Sequence, residues 1–192
     1  MRNGFKQLFI GFLFVFIKFH LIVDLLPDFI GYIFVYNGIK QIATLSSQPY
    51  EKLKVLSIIL VIISVPNFFL NDQVIQLNEW LGYYSTLLSL LKVILIYLLF
   101  ALLQEVAKQL PYKEGFISTK RMFYWYMAIA LPSLFIQSFL MNTTFDNSIT
   151  GSILIVVFML IIEISFLVYL NNMRKRYPRN AIYEGFEKGA VS

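Results

Sequence analysis

Apolar residues fall along this chain in six long stretches, separated by short polar segments. A helix that crosses a bilayer needs roughly 20 mostly apolar residues. The pattern predicts spans at about Phe5–Val23, Pro27–Leu45, Leu53–Leu70, Trp80–Leu103, Met122–Met141 and Ile149–Leu170. The connections are short, so the spans pair as three hairpins. The expected fold is an all-α polytopic integral membrane protein. It forms one transmembrane domain over residues 1–192, with 171–192 as a short basic tail. No polar segment is long enough to hold a soluble catalytic domain.

The cations orient these spans. Arg2 and Lys6 precede the first; Lys40, Lys52 and Lys54 surround the second connection; Lys108, Lys113, Lys120 and Arg121 surround the fourth. Arg174, Lys175, Arg176, Arg179 and Lys188 follow the sixth. Asn71–Glu79 and Asn142–Ser148 carry no Lys or Arg. The positive-inside rule then puts both termini and the even-numbered connections in the cytoplasm. Of the 16 Lys and Arg, only Lys18 and Lys92 depart from this pattern.

The first stretch has the basic start and apolar run of a signal peptide, but Lys18-Phe19-His20 stands where a small-residue cleavage site belongs. It reads as an uncleaved anchor. Spans one and two are short, so a re-entrant hairpin is an alternative, with its turn buried in protein or facing a wet cavity. Phe123-Tyr124-Trp125-Tyr126 follows Lys120-Arg121, where an inner aromatic belt is expected, and Trp80, Tyr83 and Tyr84 mark the outer end of span four. Pro66 and Pro132 predict kinks inside spans three and five. Val65-Pro66-Asn67-Phe68-Phe69 and Leu131-Pro132-Ser133-Leu134-Phe135 look alike, yet their prolines lie at different distances from the outer loops, so no repeat is established.

Composition agrees with the pattern. The 192 residues are 58% hydrophobic and 14% charged, against about 45–50% and 25% in a soluble domain. The mean hydropathy is +0.70. No cysteine is present, which excludes disulfides, thiol nucleophiles and thiolate metal sites. One histidine, His20, excludes a His-rich metal cage.

Two charges lie deep inside the apolar stretches. A charge at the bilayer centre costs about 2.5–3.5 kcal/mol on insertion scales, so it needs a partner or water. Lys92 lies 12 residues after Trp80 and Glu163 15 residues after Ser148, or roughly 18 and 22 Å down helices of the same direction. That predicts a Lys92–Glu163 ion pair between adjacent spans four and six. Ser85 and Ser89 share the face of Lys92 and are candidate hydroxyl partners for it. The pair is either polar glue between helices or part of a proton or ion path.

A second polar cluster, Lys18, His20, Asp24 and Asp28, brackets the turn between spans one and two. Pro27 suits a first helical turn, Asp28 complements the helix dipole, and Asp24 is a candidate cap. The alternative is a small outward-facing ion or proton site in which His20 titrates. Gly31 and Gly38, seven apart, share a face, and with Gly11 they predict close packing of spans one and two.

The chain contains no GxSxG, HExxH, Walker or GxGxxG pattern. No cofactor and no metal is expected, and no enzyme activity. The pI of 9.3 follows the positive-inside pattern and implies no nucleic-acid partner. Arg174, Lys175, Arg176 and Arg179 should lie on anionic lipid at about 1 kcal/mol per cation, or dock a cytoplasmic protein.

Leu26-Pro27-Asp28-Phe29-Ile30-Gly31-Tyr32 resembles a segment near the N-terminus of small, uncharacterised membrane proteins of Firmicutes-type bacteria. The resemblance covers about residues 5–45. It implies a bacterial plasma membrane and brings no assigned activity.

Three functional readings follow. The first is a non-enzymatic regulatory, immunity or accessory subunit that works through a membrane or cytoplasmic protein partner. The second is a small transporter or channel, oligomeric in one form, using Lys92, Glu163, Ser85 and Ser89. The third, a membrane-embedded enzyme, rests only on His20, Asp24 and Asp28.

Overall fold

A computed structural model describes residues 2–17, 27–46, 50–66, 79–108, 113–140 and 148–176. Among them are six helices and no strand: α1 Arg2–Ile17, α2 Asp28–Ala43, α3 Glu51–Ser64, α4 Glu79–Lys108, α5 Lys113–Leu140 and α6 Ser148–Arg176. Each packs against its neighbour in sequence, and α6 closes back onto α1. The result is a ring of helices whose interior is filled by side chains, with α2 also touching α4.

Among the described residues, two helices are long and apolar enough to cross a membrane, over Trp80–Lys108 and Ile153–Arg176. The 30 residues of α4 rise about 45 Å, and the 14 of α3 about 21 Å. A hydrocarbon core is about 30 Å thick, so the described lengths of α1, α2 and α3 fall short of it. Helix α5 begins at Lys113, well before the expected Met122. Its first turns, Lys113–Arg121, are too charged for an apolar window but contain ordinary helix formers. Helix α6 likewise carries the first residues of the expected tail, through Arg176.

Glycines set the α1/α2 contact. A Cβ on Gly11 would lie 2.6 Å from the Gly31 carbonyl oxygen, and one on Gly31 2.8 Å from that of Gly11. Gly38 meets Gly4 in the same way, 2.9 Å from its carbonyl. Gly4 pairing with Gly38 and Gly11 with Gly31 makes the two helices antiparallel. With no side chain at four points, the backbones approach closely. Helix α2 starts at Pro27, whose extended backbone (φ −67°, ψ 127°) occupies the N-cap position without a side-chain cap. Pro27 holds the N-cap position, and Asp24, the candidate cap, lies outside the described residues.

The two prolines differ. Pro132 lies inside α5, where the missing N–H frees one carbonyl; the next residue, Ser133, donates its hydroxyl to the Ile129 carbonyl at 2.7 Å. Pro66 lies just past the end of α3 instead of within it. It marks a terminus there, not a kink.

The core is aromatic. Phe12, Phe100, Tyr126 and Phe166, from α1, α4, α5 and α6, are fully buried. Phe166 lies 5.1 Å from Phe12, 5.4 Å from Phe100 and 5.6 Å from Tyr126, centroid to centroid. The outward faces are apolar too. Ile62 is 66% exposed, Phe135 65% and Ile153 58%, and Val157, Ile161, Ile164 and Val168 extend the last as a stripe down α6. Such a continuous exposed apolar surface marks contact with protein or membrane.

Because the hairpins alternate in direction, every described Lys and Arg except Lys92 falls at one end of the ring. That end holds the starts of α1, α3 and α5 and the ends of α2, α4 and α6.

Candidate functional site

The interior of the ring carries one ion pair among the described residues. Lys92 Nζ donates to Glu163 Oε1 at 2.6 Å. The two residues are 7% and 3% exposed. Helices α4 and α6 are not in close backbone contact there; they meet through long side chains, Phe100 on Phe166 and Lys92 on Glu163. The spans expected to be adjacent are thus not packed directly on each other: α5 lies against both, and the ion pair forms across the inside of the ring.

The surroundings of the pair are mainly aromatic. The Phe16 ring of α1 lies 4.5 Å from Lys92 Nζ, in cation–π position. Ser85 and Ser89 are half-buried on α4 and, among the described contacts, donate no hydrogen bond to Glu163 and accept none from Lys92. Tyr32 of α2 and Tyr126 of α5 are buried in the same interior. The Tyr126 hydroxyl is buried and has no hydrogen-bond partner among the described atoms. Side chains of three helices, α1, α4 and α6, thus meet at the ion pair.

Tyr126 was read from the sequence as part of an aromatic belt. The structure divides that run by helical phase: Tyr124 and Trp125 are 58% and 61% exposed, and Tyr126 is fully buried. Positions 126, 130 and 133 share the buried face of α5. A period of 3.6 residues was the signal available for it.

The remaining predicted positions are dispersed. Lys18, His20 and Asp24 lie outside the described residues, as does Arg179. Asp28 opens α2 in its first turn. Arg174, Lys175 and Arg176 form the last turn of α6, where cations complement the negative end of the helix dipole. Among the described residues no group of three or more His, Asp or Glu is placed to hold a metal ion.

Three features had no sequence signal. At the cationic end, the Tyr50 hydroxyl donates to Glu105 Oε2 and ties the start of α3 to α4. Partial burial, and next the bond to Glu105, push the Tyr50 phenol up to about 12. Thr119 and Tyr169 share a hydrogen bond of 2.8 Å between α5 and α6, and Thr119 also donates to the Gly115 carbonyl. Beside Tyr169 is a cavity of about 180 Å³ between α5 and α6, lined among others by Ser118, Arg121, Trp125, Asn172 and Arg176.

No protein-family model matches the chain, and neither a curated protein nor a solved structure is detectably similar to it.

Proposed function

We propose that the protein is a multi-pass plasma-membrane protein of bacterial type, six spans in three hairpins with the cationic end in the cytoplasm. We further propose that it acts without catalysis, as a regulatory, immunity or accessory subunit that works through a protein partner. The apolar outer faces and the gathering of cations at one end support the membrane reading. The observation that carries the functional reading is the enclosure of the ion pair. Lys92 and Glu163 are each less than a tenth exposed, the ammonium faces the Phe16 ring of α1, and the same interior holds the packed rings of Phe100, Tyr126 and Phe166. A pair so enclosed holds helices together; an ion path through it requires those rings to move.

One observation favours a second reading. The Tyr126 hydroxyl is buried inside the ring without a hydrogen-bond partner among the described atoms, a position from which a proton or ion can be held. Two measurements separate the readings. Gentle purification from the native membrane should return a stoichiometric partner, and the chain alone in proteoliposomes should move no ion or small solute. Flux by the chain alone, lost on Lys92→Met, would instead establish the transporter reading.

A further inference from the structure

The cavity between α5 and α6 combines features that the ion pair does not use. Two guanidinium groups, Arg121 of α5 and Arg176 of α6, reach it from different helices. Asn172 and Ser118 add neutral hydrogen-bonding groups, and Trp125 and Val168 supply an apolar wall. None of the described residues lining it is acidic. Its position follows from the antiparallel run of α5 and α6, which brings Arg121 near the last turn of α6, at the cationic end of the ring. Tyr169, fixed by its bond to Thr119, forms part of the wall.

We infer that this cavity is a binding site for the phosphodiester headgroup of one anionic phospholipid; the inference rests on the membrane reading above. The size suits it. At about 180 Å³ the space equals roughly six waters at about 30 Å³ each, enough for a phosphate and part of a glycerol and too little for a peptide segment. The chemistry suits it as well. Guanidinium groups offer planar paired donors that match phosphate oxygens. Two of them from separate helices clasp one phosphate, with the Asn172 amide and Ser118 hydroxyl as further donors. The wall is amphipathic in the right order: cations lie toward the end of the ring, and Trp125 and Val168 continue into the exposed apolar faces of α5 and α6. Acyl chains would descend along those faces. Basic pockets between helices on the cytoplasmic side are where anionic headgroups bind.

The lipid joins α5 to α6 at the end where Thr119–Tyr169 already links them. It is a stoichiometric ligand, distinct from the diffuse attraction of Arg174 and Lys175 for a charged surface.

The test uses the full chain, purified in mild detergent, stripped of lipid and titrated with phosphatidylglycerol or phosphatidylcholine under native mass spectrometry. One phosphatidylglycerol should bind per chain, in preference to phosphatidylcholine. Arg121→Gln with Arg176→Gln should weaken that binding about tenfold or more. Arg174→Gln with Lys175→Gln removes the same charge and should cost no more than about threefold, since neither side chain lines the cavity. Equal losses in the two double variants, or none in the first, would overturn the site. Millimolar inorganic phosphate should leave the lipid bound; displacement by it would mean that the cavity takes free phosphate and not lipid. Alkaline extraction of native membranes is the separate arm. Release of the chain into the aqueous phase would overturn the membrane reading and the lipid site together. Retention, with unchanged lipid binding in the Arg121/Arg176 variant, would overturn the site alone.

Discussion

Lys92 and Glu163 are 71 positions apart and meet at 2.6 Å inside the ring. Each stands on a helix of about 30 residues, and those are the two helices long and apolar enough to cross a membrane. The pair therefore ties α4 to α6 across the interior, beside the ring contact of Phe100 with Phe166. Phe100 lies about 12 Å of rise beyond Lys92 and Phe166 about 4.5 Å beyond Glu163, so the long Lys92 and Glu163 side chains span the difference while the two rings meet at 5.4 Å.

A buried pair of this kind makes single and double substitutions differ in kind. Lys92→Met alone strands a carboxylate, and Glu163→Leu alone strands an ammonium. Each should destabilise by roughly 3–5 kcal/mol, and the double variant should recover most of that loss. The midpoint of thermal unfolding in detergent, measured for all four proteins, checks this. A double variant as unstable as the worse single would mean that the two side chains do not depend on each other.

The glycine contacts divide by what opposes them. A methyl on Gly31 meets the Gly11 carbonyl oxygen at 2.8 Å, and behind it is helix backbone that cannot give way. A methyl on Gly4 meets first the Ile42 side chain at 2.8 Å, which can change rotamer. Gly31→Ala should therefore cost about 1–3 kcal/mol through overpacking. Gly4→Ala should cost less, because its nearest neighbour is a side chain and its nearest backbone atom is 3.3 Å away; alanine's better helix propensity, about 1 kcal/mol, offsets both substitutions alike. The order of the two unfolding midpoints decides it; Gly4→Ala falling below Gly31→Ala would contradict the packing described.

The ion pair could be anticipated because a charge inside an apolar run is costly, and because helical rise turns sequence position into depth. The α1/α2 contact was legible in Gly11, Gly31 and Gly38; Gly4 lay one residue before the expected start of the first span. Other features depend on rotation about the helix axes, which hydropathy does not report. Tyr126 was assigned with its neighbours to a belt, although helical phase turns it inward and Trp125 outward. The pairing of Arg121 with Arg176 around one cavity needs both the early start of α5 and the late end of α6. A window that stops at the first charges misses both. Tyr50 and Glu105 are ordinary polar residues near helix ends, and only the packing of α3 on α4 brings them together.

That last contact has a pH signature. The Tyr50 phenol is raised from its ordinary 10.0 to about 12 by partial burial and by its bond to Glu105. The folded chain thus holds this proton more tightly than the unfolded chain. The stabilisation is complete below about pH 10 and is lost as pH rises toward 12. Tyr50→Phe removes this titration. The difference in stability between wild type and Tyr50→Phe should be constant from pH 7 to 9 and shrink between pH 10 and 12. Taking the difference cancels the other tyrosines and the lysines, which titrate in the same range. A difference that stays flat across that window would show that the phenol is not held by Glu105.

The solvent around the ring decides the sign of a surface substitution. Ile161 is 52% exposed on the outer face of α6, two residues before Glu163 and turned away from it. In water, replacing such a residue by Asp changes stability by no more than about 0.5 kcal/mol, and it helps solubility. In a bilayer the same change puts a carboxylate near mid-depth with lipid on one side, at about 2.5–3.5 kcal/mol on insertion scales. Ile161→Asp should therefore lower the membrane-inserted fraction of α6 by a factor of tens or more. Ile161→Leu should leave it unchanged. Protease protection of the α6 C-terminal turn in membrane vesicles reads that fraction directly. Full protection and normal yield for Ile161→Asp would mean that this face of α6 meets water, and the six-span reading would fail at its most apolar helix.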